Sequence, residues 1–270
     1  MTQAEFNEYR RKRIVLAASV SPDSGEVIPW AARTSAFVPV NIPIIVGMLA
    51  SPPTQVYTML WQWINQTYNA GLNYGNRNAS SKQTTGELFQ AYCIGSTTAI
   101  GVACSLRAMA PLLLQGRTGG LASLINYFIG YAAVASSSSV NVYAMRRGEI
   151  VTGVSVKDQE GTELGLSKKA AAQGVYKTMY SRMTYCLPIF ALPALWNVLL
   201  TKAKLMPKSL GVTRIALESL GVALGLYIAM PVNCALFPQM SRMAVSDLEP
   251  ELQQKAKALG ISEVVYNKGL

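Results

Sequence analysis

The chain has 270 residues, half of them apolar and only 14% charged, where soluble domains carry about a quarter. Its 24 Lys and Arg against 14 Asp and Glu give a formal charge of +10, and it contains no His. This composition excludes a disordered chain, a coiled coil and a disulfide-rich scaffold, and it removes every His-based triad, metal site and proton relay. Thirteen Pro and 21 Gly fall partly inside the apolar runs, as membrane helices tolerate. The positives lie between long uncharged runs and not among aromatics on a polar face. They read as anchors for lipid headgroups, and nucleic acid is not an expected partner.

Residues 1–33 form a first unit. The opening MTQAEFNEYRRKR lacks the apolar core of a secretory signal. Thr2 with Glu5 fits a capping box, which predicts an amphipathic helix. The run Arg10–Arg13 is expected near the end of that helix, at a lipid surface, because cations suit helix C-termini. Ser21–Glu26, SPDSGE, is a turn signal.

Residues 34–270 form the second unit, an all-α, multi-spanning membrane domain. Thr34–Asn76 is 43 residues without a charge. The runs Thr118–Met145, Met183–Thr201 and Ser219–Ser241 are likewise uncharged. About 20 apolar residues cross a bilayer core. Predicted spans are about 36–50 with 55–75, 89–106, 119–145, 183–201 and 219–241. The count is five, or six if 34–76 makes a hairpin about Ser51-Pro52-Pro53-Thr54. With a hairpin, 18 of the 24 Lys and Arg lie on one side, with both termini, and 6 on the other. The positive-inside rule favours that even count. Small residues dominate 95–105 and 130–139, which permits close helix packing.

Segment 146–182 is the main polar element. Alternation around Lys157–Gly161 predicts a short hairpin, and a helix from about Ser167 should lead into the next span. Cys93, Cys104, Cys186 and Cys234 make no CxxC pair. They read as small buried hydrophobes, with no metal site and no cofactor expected.

The informative stretch is WQWINQTYNAGLNYGNR at 61–77. Trp61, Asn65, Asn69 and Asn73 recur every four residues and share one helix stripe, with Gln62 and Gln66 beside it. An unpaired amide in hydrocarbon costs several kcal/mol. These amides therefore either line a path for a polar, uncharged substrate or bond helix to helix. Asn41 between Pro39 and Pro43, and Asn233 between Pro231 and Pro238, are candidate helix-break sites of the kind transporters use. Pro188 and Pro193 mark another such break. Asn126, Asn141 and Asn197 lie in or near spans. No GxSxG, Walker A or GxGxxG motif occurs, so no enzymatic chemistry is expected.

These motifs together resemble the sideroflexins. SPDSGE at 21–26 is similar to the family's HPDTGE, with Ser21 in place of its His. The 61–77 stretch resembles the family's WQWxNQSxNxxxNYxNR. MRRGEIVTGVSVKDQEGTELGLSKKAA at 145–171, CALFPQMSRMAVSDLEPELQ at 234–253 and YNKGL at 266–270 also match.

The resemblance implies a multi-pass protein of the mitochondrial inner membrane that carries small neutral amino acids, serine above all, for one-carbon metabolism. It also implies a further N-terminal segment before the first motif. Within it, Asn65, Asn69, Asn73, Asn41, Asn233, Gln62 and Gln66 are the candidate substrate-binding residues, assigned from amide placement and proline kinks. Expected partners are membrane lipids and a small neutral amino acid. The alternative is a structural subunit of a larger inner-membrane complex, a respiratory complex or ATP synthase, with transport reduced or lost. Uncharged amides suit a neutral zwitterion better than a tricarboxylate, since Arg107 is the nearest approach to an intramembrane cation cluster.

Overall fold

The computed structural model describes residues 2–20, 25–75, 84–116, 120–207, 209 and 211–268. In chain order the helices are α1 (Gln3–Ser19), α2 (Phe37–Ala50), α3 (Gln55–Gly75), α4 (Thr85–Leu114), α5 (Gly120–Thr152), α6 (Lys168–Lys202), α7 (Val212–Leu236) and α8 (Pro250–Ala258). The strands are β1 (Val154–Lys157), β2 (Glu163–Ser167), β3 (Met240–Ala244) and β4 (Glu263–Asn267).

Helix starts follow local chemistry. Thr2 and Glu5 make the expected capping box on α1, and Thr84 with Glu87 makes a second on α4. Each satisfies two backbone groups that a helix end leaves open and contributes about 1 kcal/mol. The run Arg10–Arg13 corrects its expectation. It lies mid-helix, and α1 has no basic residue in its last turn. The helix continues because Ile14–Ser19 contains no breaker. The turn expected at Ser21–Glu26 falls mostly outside the described residues. Its flanks close it, with Val20 and Val27 paired antiparallel and Gly25 at φ +69°.

Helices α2 to α7 alternate in direction. Trp61 Nε1 donates to Ser51 Oγ at 2.7 Å, which folds α3 back on α2. Gln55 donates to the Cys104 carbonyl, while Gly95 lies against Gln66, so α3 and α4 are antiparallel. Arg107 meets Asn126 and Gly95 meets Ser137, which sets α4 against α5. Ser139 donates to the Met179 carbonyl, and Gly130 packs on Phe190, which sets α5 against α6. Trp196 meets Gly221 and Pro188 meets Gly225, which sets α6 against α7. Helices α2 and α3 therefore form the hairpin, and α1, the sheet and α8 share one end of the bundle.

Among the described residues three helices, α4, α6 and α7, are long and apolar enough to cross a membrane. At about 1.5 Å per residue, α3 and α5 have the length, with 21 and 33 residues, but their amides, Ser and Gly lower their hydropathy. Helix α2, with 14 residues, reaches only about 21 Å, less than a bilayer core of about 30 Å.

The expected breaks at Pro43, Pro188, Pro193 and Pro231 do not unwind their helices, which run through all four. A proline removes one hydrogen bond, and neighbours can reseat the freed carbonyl. Pro193 frees the Ile189 carbonyl, and α7 approaches it at Gly225, where a Cβ would stand 3.3 Å from Ile189 O and 2.8 Å from Pro188 O. Ile45, Val46, Ile189, Phe190, Val222, Leu226 and Ala229 form the apolar core of this seam.

The hairpin predicted around Lys157–Gly161 is present as β1–β2. Asp158 Oδ1 accepts from the N–H of Glu160 and Thr162, and Gly161 takes φ +92°. It belongs to a larger unit than expected, an antiparallel sheet of order β2-β1-β4-β3. Val156, Leu164, Val264 and Tyr266 pack with Leu248, Leu252 and Ala256 around α8 as a separate small core. Glu249 Oε1 accepts from the N–H groups of Lys168 and Lys169, at 2.8 and 2.9 Å, at the start of α6. Burial alone would raise the Glu249 carboxyl pKa, but these bonds and one from Ser167 hold it below the ordinary carboxylate value. Of the cysteines only Cys186 is buried. Cys93 and Cys234 are exposed on the bundle surface, a correction to the reading of all four as core. An apolar run in a membrane helix faces lipid as readily as neighbours.

Candidate functional site

The amide stripe of α3 faces α4 and α5. Gln62, Asn65 and Gln66 are all buried, at 3%, 4% and 5% exposure. Opposite them α4 presents Gly95 and Ser96, and α5 presents Ser137 and Asn141. Three side chains, Gln66, Ser137 and Asn141, converge where α4 lacks one. A Cβ on Gly95 would lie 3.3 Å from Ser137 Oγ, 3.4 Å from Asn141 Nδ2 and 3.6 Å from Gln66 Oε1. Ser137 donates to the Gly95 carbonyl at 2.7 Å.

This cluster is incompletely satisfied. Gln62 Oε1, Asn65 Nδ2, Gln66 Nε2, Ser96 Oγ and Asn141 Oδ1 are buried without a hydrogen-bond partner. Each such group costs about 1–3 kcal/mol relative to a bonded one. Donors and acceptors both remain open, and no member is charged.

A second polar group lies toward the bundle end away from the sheet. Arg107 of α4 donates to Thr58 Oγ1 at 3.2 Å and to Asn126 Oδ1. Both partners are neutral. A cavity of about 20 Å³ sits beside them, lined by Ser51, Tyr57, Trp61, Gln62 and Gly130 among others. That volume holds about one water. Gln62 belongs to both groups, so they are continuous.

The other predicted residues are placed as follows. Asn69 lies further along α3 and is partly buried. Asn73 is on the same helix, and its side chain is outside the described residues. Asn41 is buried, but its amide donates to the Phe37 carbonyl of its own helix at 2.8 Å. Asn233 lies near the sheet end of α7 with Oδ1 buried and unpartnered. Neither is brought to the amide cluster by any contact seen here. Asn197 meets Tyr127 Oη. Sequence reasoning missed the Arg107–Asn126–Thr58 group and the role of Gly95. The available signal was a lone cation and a lone amide in separate spans, which only the α4–α5 pairing connects.

The family model for sideroflexins matches residues 1–270. The chain belongs to the sideroflexin family. Human sideroflexin-1 is 36% identical over 98% of this chain and 80% of its own length. Human sideroflexin-5 is 36% identical over 94% of this chain and 73% of its own. The sideroflexin of Dictyostelium discoideum is 33% identical over 98% of this chain and 80% of its own. No solved structure matches the chain. With its apolar helices, the chain is a multi-pass membrane protein of that family.

Proposed function

We propose that this sideroflexin carries small neutral amino acids, serine first among them, across the mitochondrial inner membrane. The observation that carries the reading is the set of five open polar atoms on α3, α4 and α5, buried and uncharged. An amino acid is a zwitterion that needs both donors and acceptors and no net counter-charge. Arg107, whose partners among the described residues are the neutral Thr58 and Asn126, suits the carboxylate. The amide oxygens of Gln62 and Asn141 suit the ammonium, and Ser96 and Asn65 a side-chain hydroxyl. The cavity beside Arg107 is too small for serine, so the helices must part for it to enter and leave. The continuity of α2, α6 and α7 through their prolines favours rocking of whole helices over unwinding.

The test is serine uptake by purified protein in liposomes, against a variant with Asn65, Asn69 and Asn73 all changed to Leu. Uptake by the parent and none by an equally folded variant supports the carrier and its path. No uptake by well-folded parent protein, together with stoichiometric co-purification in an inner-membrane complex, would replace it with the structural-subunit reading.

A further inference from the structure

At the end of the bundle away from the sheet, α7 buries a carboxylate that is compensated at one oxygen. Glu218 is 6% exposed and stands at the head of the uncharged run Ser219–Ser241. Arg214, one turn before it, donates from Nε to Glu218 Oε1 at 3.0 Å. Oε2 is buried and has no hydrogen-bond partner among the described residues. An ionised carboxylate accepts through both oxygens. Acids set inside a helical membrane bundle mark substrate, ion or proton paths.

The two members of this pair are held differently. The backbone beside Glu218 is pinned to α6, because Trp196 Nε1 donates to the Leu217 carbonyl at 2.9 Å. The Trp196 ring also fills the space that Gly221 leaves, where a Cβ would stand 2.7 Å from it. The Arg214 side chain is 32% exposed. It reaches the surface, so it can leave Glu218 in a way that Glu218 cannot follow. A carboxylate left without its counter-charge in a low-dielectric interior takes a proton and does not stay charged. A proton needs no cavity to enter.

Among the described residues, the titratable group that faces the pair from another helix is Tyr127 of α5, within electrostatic reach of both Glu218 and Arg214. Tyr127 is buried, and its Oη accepts from Asn197 Nδ2 of α6 at 3.4 Å. Helix α6 otherwise brings Trp196, which does not titrate, and its last cation, Lys202, is exposed. Helix α2, which also packs on α7, contains no titratable residue. The pair connects to the Arg107 group through α5. Asn126, which accepts from Arg107, and Tyr127 are consecutive, so one turn of α5 carries a contact of each group. A substrate carboxylate that draws Arg107 from Asn126 therefore acts on the turn that faces Glu218.

We propose that Glu218 takes up one proton on Oε2 for each amino acid carried, with Arg214 as its removable counter-charge, so that proton and amino acid cross together. The ion pair and one proton from water become a neutral acid and a hydrated guanidinium. Return of Arg214 expels the proton to water on the other side and restores the pair. The proposal rests on the carrier reading above and adds its driving ion.

The full chain is reconstituted in liposomes in sodium-free buffer, with the membrane potential clamped by potassium and valinomycin. Labelled serine is followed in two modes, exchange against internal serine at equal pH and net accumulation under an outside-acid gradient. A trapped pH dye reports proton entry. The parent should exchange, and one pH unit should accumulate serine about tenfold with matching acidification inside. Glu218→Gln, which mimics the neutral acid, should exchange but neither accumulate serine nor acidify the lumen. Arg214→Gln, at a partly exposed position, should also lose accumulation, and it serves if the first variant does not fold. Exchange by the parent without accumulation, or accumulation driven by a sodium gradient in place of the pH gradient, overturns the proton site and leaves the carrier standing. Accumulation kept in either folded variant does the same. No exchange by folded parent protein overturns the carrier and the proton site with it.

Discussion

Two seams of the bundle are built on the same device and used differently. At the α3–α4–α5 seam Gly95 lets side chains converge, and those side chains are Gln66, Ser137 and Asn141. At the α6–α7 seam Gly225 lets backbones converge, and the neighbours are Ile189, Val222 and Leu226. Lipid offers no hydrophobic drive between helices, so both seams depend on close packing and on hydrogen bonds. The α6–α7 seam leaves little for a guest to complete. The amide seam keeps five polar atoms open. A glycine at a helix crossing therefore does not reveal a role, and the chemistry of what approaches it does.

That contrast can be broken by exchanging the properties of the seams. The largest effect is expected from Asn141→Leu. Serine uptake should fall at least about a hundredfold, an interaction loss of roughly 3 kcal/mol. Melting temperature should hold or rise, because an unsatisfied amide is removed. Equal losses of uptake and stability would make the amides structural. Gly225→Val should do the opposite, lowering stability by about 1–3 kcal/mol through overpacking against Pro188 and Ile189, with uptake per folded molecule kept. Thermal unfolding with uptake normalised to folded protein separates the two.

Smaller effects belong to the sheet end. Thr178→Val removes a hydroxyl whose one proton is shared between the Gly174 and Lys268 carbonyls and whose oxygen accepts from Arg146. A loss of about 1–2 kcal/mol is expected, read as a lower melting temperature with faster amide exchange in β4. Glu249→Gln should cost least, about 1 kcal/mol at neutral pH. The folded pKa of Glu249 is depressed, so its contribution is present above the ordinary carboxylate pKa. It is lost as pH falls through the lowered folded value. Stability of parent and variant should converge in acid, and a constant gap across pH would remove Glu249 from the account.

Much of this architecture was legible before the structure. Charge-free runs marked the long helices, and the distribution of Lys and Arg favoured the hairpin that α2 and α3 form, which the runs alone left open between five and six spans. Of the period-four stripe Asn65 is buried and Trp61 and Asn69 are half-buried, and the buried amides beside Asn65 are Gln62 and Gln66. What was not legible depends on pairing over distance. Nothing local to MSRMA or EVVYN announces that they join a hairpin some hundred residues earlier. Arg107 and Asn126 looked separate until α4 and α5 were antiparallel. Proline misled for a physical reason. Sequence shows the missing N–H, but not the neighbouring helix that packs over the kink, as α7 does at Gly225 against Pro188 and Ile189.

The order β2-β1-β4-β3 has a consequence for biogenesis. Strand β4 is made last of the four, yet it occupies the middle and is the only link between β1 and β3. Until it leaves the ribosome and reaches the correct side of the membrane, the β1–β2 hairpin and β3 each expose an unpaired edge. Closure of the sheet then reports that every helix between them has been threaded in the right direction, since an inverted helix would strand β4 across the bilayer from β1.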